Sequence, residues 1–291
     1  MDFQMLLQII LNGILLGSIY SLISVGLALI FGVMKLINFA HGDFLMLGMF
    51  FYYWLNTLFH IPFFILLILA PIFLLLIGIF IYKVLIRRII NVPQVVQLLV
   101  TGGLMITLQN LAVMLWSSNY RSAPYSLGVI RIGVFCIPTL RLVASIISIF
   151  ASALLFIIVN KTDLGRAIRA TSENRTAAAL VGVNTERIYT VTFGLGLALV
   201  GLAASLVAPL YWIYPTVGEY FGLMAFFTVI LGGLGNIYGA FFGGLILGVA
   251  ETLGSVLIGS EYQQFVPFCI FILILLAAPE GIASLRRQKI K

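Results

Sequence analysis

The chain has 291 residues, 62% of them hydrophobic and 9% charged, with a mean hydropathy of +1.18 and a formal charge of +7. Soluble domains carry about 25% charged residues, so a soluble class is excluded, and the length divides better into membrane spans of about 20 residues each. The basic residues gather at the ends of apolar runs, which is the pattern of cytoplasmic anchoring rather than of a nucleic-acid surface.

The N-terminus reads MDFQ, with no basic region and no small-residue cleavage site behind the first apolar run. That run, 6–34, is expected to be a retained span and not a signal peptide. Further apolar runs follow at 39–58, 62–82, 92–116, 138–159, 189–211 and 264–285. Between the last two lies 221–258, apolar and Gly-rich, with Glu251 its only charge. Cys136 and Cys269 are too few and too far apart for a disulfide framework or a metal site.

One polar island interrupts this pattern. Residues 160–188 hold Lys161, Asp163, Arg166, Arg169, Glu173, Arg175, Glu186 and Arg187, eight charges from a chain total of 16 basic and 9 acidic residues. Lys and Arg set the topology. The island, the tail with Arg286, Arg287, Lys289 and Lys291, the cluster Lys83, Arg87 and Arg88, and Lys35 are all expected in the cytoplasm. Counting back places the N-terminus outside, and also the segment 117–137, although Arg121 and Arg131 pull the other way.

Island and tail can share a side only if an even number of crossings separates them. The region 221–258 must then cross twice or not at all. As one helix it would measure about 57 Å against a hydrocarbon core of about 30 Å. Gly232, Gly233, Gly235 and Asn236 are poor helix residues set together. They predict two pieces, 221–232 and 237–258, the first a half-helix or re-entrant segment, which is tolerated only inside protein or along a cavity. The segments 31–48 and 231–248 also match without a gap at Gly32/Gly232, Ile37/Ile237, Ala40/Ala240, Leu45/Leu245, Leu47/Leu247 and Gly48/Gly248. Interrupted spans at matching positions point to a transport site. The expected fold is an all-α polytopic membrane protein. It has about eight transmembrane helices plus this Gly-broken segment near 221–236, in one transmembrane domain 1–291 with a cytoplasmic loop 160–188.

Within the spans, His41 and Asp43 stand first. A carboxylate at the centre of a span costs about 2.5–3.5 kcal/mol on insertion scales, so Asp43 must face protein or water. It reads either as a pathway residue or as a helix-start residue favoured by the dipole, with Asn38 as the cap. His41 and Asp43 point to different helix faces, which disfavours a metal site. Glu251 lies on a stripe with Ala240, Gly244, Gly248 and Ser255, a small-residue face that packs against another helix. It lines the pathway or bonds a neighbour, and Gln109 and Asn110 carry the same two readings.

In the island, Thr162 or Asp163 is expected to start a helix through Arg169. Ser172 is expected to cap a second, 173–181, stopped at Gly182. Ala167, Ala170, Ala177, Ala178 and Leu180 would then offer small apolar faces to a partner's groove. The chain has no GxxxxGK[ST] phosphate loop, so no nucleotide site of its own and no cofactor is expected. With two histidines it assembles neither a Ser–His–Asp set nor an HExxH motif, which argues against an intramembrane enzyme.

The blocks LGSIYSLISVGLALIFGVMKLINFAHGDFLMLG, LLVTGGLMITLQN and DLGRAIRATSENRTAAALVGVNTERIYTVTFGLGLALVGLAASL resemble the LivH-type permeases of bacterial branched-chain amino-acid ABC importers. VILGGLGNIYGAFFGGLILGVAE and the terminal PEGI fit the same family, so the resemblance spans nearly the whole chain. It implies a LivM-like second permease, two cytoplasmic ATP-binding subunits and an extracytoplasmic substrate-binding protein, in a bacterial cytoplasmic membrane. It also implies that 165–184 couples to the ATPases, with Gly165, Arg166, Ala167, Arg169, Ala170, Glu173, Ala177, Ala178 and Gly182 in that segment. Related permeases serve urea, short amides and other amino acids. A different class, an ion-coupled carrier or channel built on Asp43 and Glu251, stays open at this point.

Overall fold

The computed structural model describes residues 3–133, 135–263 and 265–277. The expected cytoplasmic tail, the PEGI block and the end of the last apolar run lie outside the described residues. Helix α1 (Phe3–Met34) carries no charge along 32 residues. At 1.5 Å per residue it measures about 48 Å, longer than the hydrocarbon core. The chain reverses at Lys35, whose φ is 56°. Residues 35–40 then run back without helix until α2 (His41–Phe59) begins. His41 Nε2 lies 3.1 Å from the Ile23 carbonyl, well inside α1. Helix α2 therefore starts within the membrane, not at its surface.

Helix α3 (Phe63–Ile81) continues through a π-turn (Tyr82–Ile86) into α4 (Arg87–Ile89), together one span. Then come α5 (Gln94–Trp116), a short antiparallel hairpin β1 (Val129–Ile132) and β2 (Phe135–Pro138), and α6 (Thr139–Lys161). The hairpin and an isolated antiparallel bridge between Arg121 and Ile213 depart from an all-helical reading. The island folds as α7 (Asp163–Glu173) and α8 (Arg175–Leu180), and α9 (Thr185–Val207) leads back across. Residues 208–216 are followed by α10 (Val217–Gly232), α11 (Ile237–Leu257) and α12 (Phe265–Ala277).

Glycine lets these helices touch. On α1 and α11 a Cβ on Gly248 would sit 2.3 Å from the Gly17 Cα. The two helices are antiparallel, since Gly13 meets Val249, Gly17 meets Leu245 and Gly32 meets Gly235. Such small-residue contact, not hydrophobicity, drives association in lipid. Ser21 Oγ reinforces it by donating to the Phe241 carbonyl across the pair, at 2.6 Å. Helix α9 lies on the other flank of α1, where Gly26 meets Gly196 at the centre of α9, and it packs antiparallel to α3.

The break after 232 is as the glycines demand. Gly233 and Gly235 have φ of 92° and 81°, values L residues rarely adopt. Asn236 caps α11, its Oδ1 accepting from the Gly239 amide at 3.0 Å. Helix α10 begins at Val217, four residues before the expected 221, because the preceding Pro215–Thr216 turn starts it. Its 16 residues span about 24 Å. The non-helical residues 208–216 complete that crossing from the side opposite the island. Helix α11 then crosses back over its full length. Among the described residues, six helices are long and apolar enough to span a membrane. The α2 and α10 crossings are composite, part non-helical chain and part helix, so the expected count of eight is not fixed by helix length.

Candidate translocation site and coupling segment

The composite crossings are oppositely directed, and their helix starts meet. A Cβ on Gly42 would lie 1.9 Å from the Gly218 carbonyl oxygen, and one on Gly218 would lie 2.6 Å from that of Gly42. The first residues of α2 and α10 are thus in backbone contact. The meeting point lies near mid-depth, because His41 sits beside Ile23 and Gly26 faces the centre of α9. The start of α2 opens toward the island side and that of α10 toward the other. Each carries the partial positive charge of a helix N-terminus.

Several sequence-predicted residues gather at this junction. Asp43 is buried, its Oδ1 accepting from Gln109 Nε2 of α5 at 2.9 Å. His41 is buried, with Nδ1 unpartnered among the described residues. Asn38 is buried too, but it does not cap α2; the cap position is Ala40, without a side-chain bond. Asn38 Oδ1 instead accepts from the Ala40 amide at 3.2 Å, because the chain enters α2 two residues later than a capping Asn38 requires. Its Nδ2 has no partner among the described residues. Asn110 turns away from this group, exposed and donating to its own Ile106 carbonyl.

Sequence reasoning missed Glu219. It stands in the first turn of α10, beside Asp43, and is exposed at membrane depth. It falls just before the 221 boundary, so the apolar run concealed it. The Pro215–Thr216 pair with an acidic residue shortly after is a helix-start signature that would have exposed it.

Glu251 belongs to a different cluster. It is fully buried, and Oε1 accepts from Tyr220 Oη at 2.8 Å and from Gln263 Nε2 at 2.6 Å. Tyr220 also meets Tyr20 Oη at 2.5 Å. This network ties α1, α10, α11 and the chain before α12 together. Ala240, Gly244, Gly248 and Glu251 all face protein. An apolar cavity of about 240 Å³ lies farther along α10 toward the island. Phe226, Val229 and Ile230 line it from one side, Leu36, Ile37 and Phe39 from the other.

The island packs up beneath α6. Thr162 caps α7, accepting from the Gly165 amide at 3.1 Å. A Cβ on Gly165 would fall 2.2 Å from the Val159 carbonyl oxygen, and Arg169 donates to that same carbonyl. Helix α7 runs four residues past Arg169, and Ser172 bonds back to Arg169 within it. The second helix is capped by Asn174, not Ser172, with its Oδ1 accepting from Ala177 at 3.0 Å. Gly182 ends α8 with φ of 88°, as expected of a glycine stop. Ala178 is buried and Ala167 and Ala170 are half-buried, so the Ala-rich faces pack partly inward. Ala177, Glu173 and Arg166 are exposed. The outward apolar surface is Leu180 and Val181, 84% and 78% exposed. Arg87 pairs with Glu186 at 2.9 Å, and Arg175 Nη1 donates to Asn91 Oδ1 at 2.5 Å; both bonds join the island to the end of the α3–α4 span.

Among the described residues no three His, Cys, Asp or Glu side chains converge as a metal site. A many-span fold with two oppositely directed broken spans meeting at mid-depth defines a membrane transport protein. The chain belongs to the family described as branched-chain amino acid transport system, permease component, whose model matches residues 9–275. It is 34% identical to the high-affinity branched-chain amino acid transport system permease protein LivH of Salmonella typhimurium, over 97% of this chain and 96% of that one. It is 31% identical to BraD of Pseudomonas aeruginosa, a permease protein of the same description, over 95% of each. The ribose import permease protein RbsC of Bacillus subtilis is 33% identical over 45% of this chain. No solved structure matches the chain.

Proposed function

We propose that this chain is the transmembrane permease subunit of an ABC importer that carries branched-chain amino acids inward across a bacterial cytoplasmic membrane. It works with a LivM-like second permease, two cytoplasmic ATP-binding subunits and an extracytoplasmic substrate-binding protein. ATP hydrolysis belongs to the ATP-binding subunits. The observation that carries the reading is the similarity to LivH and BraD over 95% or more of each chain.

Orientation follows from charge. Lys161, Arg166, Arg169, Arg175 and Arg187 lie on the same side as Lys83, Arg87 and Arg88. Positive flanks belong in the cytoplasm, which puts the N-terminus outside and the island inside. The island is then the coupling segment. Thr162, Gly165 and Arg169 fix α7 under α6, Gly182 turns the chain after α8, and Leu180 and Val181 form the apolar knob that enters a groove on the ATPase. A displacement of that knob reaches α6 and α9 directly, since α7 is tied to one and continuous through α8 with the other.

The test is reconstitution of the four-component complex. Leu180→Asp should abolish ATP-driven leucine uptake and ATPase co-purification, with the permease still inserted. ATPase association equal to that of the native chain would overturn the coupling assignment.

A further inference from the structure

We propose that the α2–α10 junction is an intramembrane substrate station, with Glu219 holding the α-ammonium group of a zwitterionic amino acid. The proposal rests on the transporter reading above and adds the residues that hold the cargo.

Three independent observations converge on it. Glu219 is an exposed carboxylate at mid-depth and makes no ion pair among the described residues. A charge there cannot face lipid without a cost of several kcal/mol, so it faces water or protein beyond this chain. Two helix starts meet beside it, Gly42 against Gly218, and such ends favour an anionic group. Last, two fully buried side chains at the entry to α2 keep unpartnered nitrogens, Asn38 Nδ2 and His41 Nδ1. Buried polar atoms without partners are rare, and these lie against the α2 start through the Asn38–Ala40 bond. His41 Nε2 donates to the Ile23 carbonyl, so its Nδ1 is an acceptor; the set offers Glu219 and His41 Nδ1 to an ammonium group and Asn38 Nδ2 as a donor to a carboxylate.

The surroundings suit the rest of an apolar amino acid. Phe39 and Phe226, with ring centroids 5.5 Å apart and tilted by 57°, belong to the lining of the apolar cavity. That cavity holds an aliphatic side chain and has no polar lining. Glu219 and Asp43 have different parts here. Asp43 is already engaged by Gln109, so it positions the α2 start, while Glu219 is the carboxylate free to meet cargo.

The experiment uses the assembled four-component complex, with Cys136→Ser and Cys269→Ser to remove the exposed native thiols. Glu219→Cys is then exposed to a charged, water-soluble thiol reagent in each nucleotide state, with and without leucine-loaded binding protein. Reaction in at least one state, slowed about tenfold or more by leucine, is expected. No reaction in any state overturns the proposal, as does reaction without protection in a complex that transports leucine. Glu219→Gln is the second arm. The complex should stay assembled while leucine uptake falls about ten- to hundredfold, the worth of one charged hydrogen bond. Dissociation of the two permeases would assign Glu219 to an inter-subunit ion pair and overturn the proposal. Failure of the transporter reading is read separately, as absence of ATP-driven leucine uptake by the native complex; the aqueous reactivity at position 219 still decides whether a water path reaches it.

Discussion

The island and the mid-membrane junction are both polar interruptions in an apolar chain, and they are built in opposite ways. The island collects many charges, pairs three of them (Asp163, Arg166 and Glu186) at its surface, and presents two apolar residues, Leu180 and Val181, outward. The junction has few polar groups, buries nearly all of them, and presents one carboxylate, Glu219. In water, charge is common and an exposed apolar knob is the informative feature. In lipid the reverse holds, and a single exposed carboxylate is the informative one. As proposed above, the island docks by shape and the junction recognises by charge.

The largest expected effect would break the junction outright. Gly218→Leu sets side-chain atoms where the Gly42 backbone lies. Neither backbone can move without dislodging a helix, so a loss of about 3 kcal/mol or more is expected. Yield of monodisperse protein in detergent and its thermal midpoint check this; a native-like midpoint would show that α2 and α10 do not touch. At the island, Leu180→Asp should change the midpoint hardly at all, within about 0.5 kcal/mol, because the side chain is exposed. The comparison sharpens if transport is lost in both variants and stability in only one.

A smaller effect probes the path between the regions. Val229→Phe adds bulk to the apolar cavity and should lower leucine uptake several-fold more than alanine uptake, as competition assays would show. Tyr220→Phe removes the hydroxyl between Tyr20 and Glu251 and leaves the Glu251 carboxylate short of a donor. The cost should be about 1–3 kcal/mol in thermal stability. The smallest effect is expected at Arg87–Glu186, a half-exposed pair. A double-mutant cycle should give less than about 1 kcal/mol, and added salt should shrink it.

The island was far more legible in the sequence than the junction. Its charges stand out against apolar runs, and Gly182 announced a helix stop before any contact was known. The cap moved from Ser172 to Asn174 because Ser172 found a carbonyl of its own helix, a choice between two adjacent good caps that local sequence does not rank. The inward packing of Ala178 was not legible, since Ala serves a core face and a docking face equally. In the broken spans, Gly232–Asn236 gave away the break at the far end of α10, and at the junction His41 and Asp43 marked an unusual span. The meeting of Gly42 with Gly218 was hidden. It is a contact between residues distant in the chain, and nothing near either glycine names its partner. Glu219 was hidden with it, because its meaning depends on depth in the membrane, and depth follows from that contact.

Leucine imported per ATP hydrolysed by the reconstituted complex tests the division of labour most directly. With Glu219→Gln the account predicts that ATPase activity stimulated by the loaded binding protein persists while uptake collapses, so the ratio falls at least about tenfold. An unchanged ratio, with uptake and hydrolysis lost in equal measure or neither lost, would contradict it.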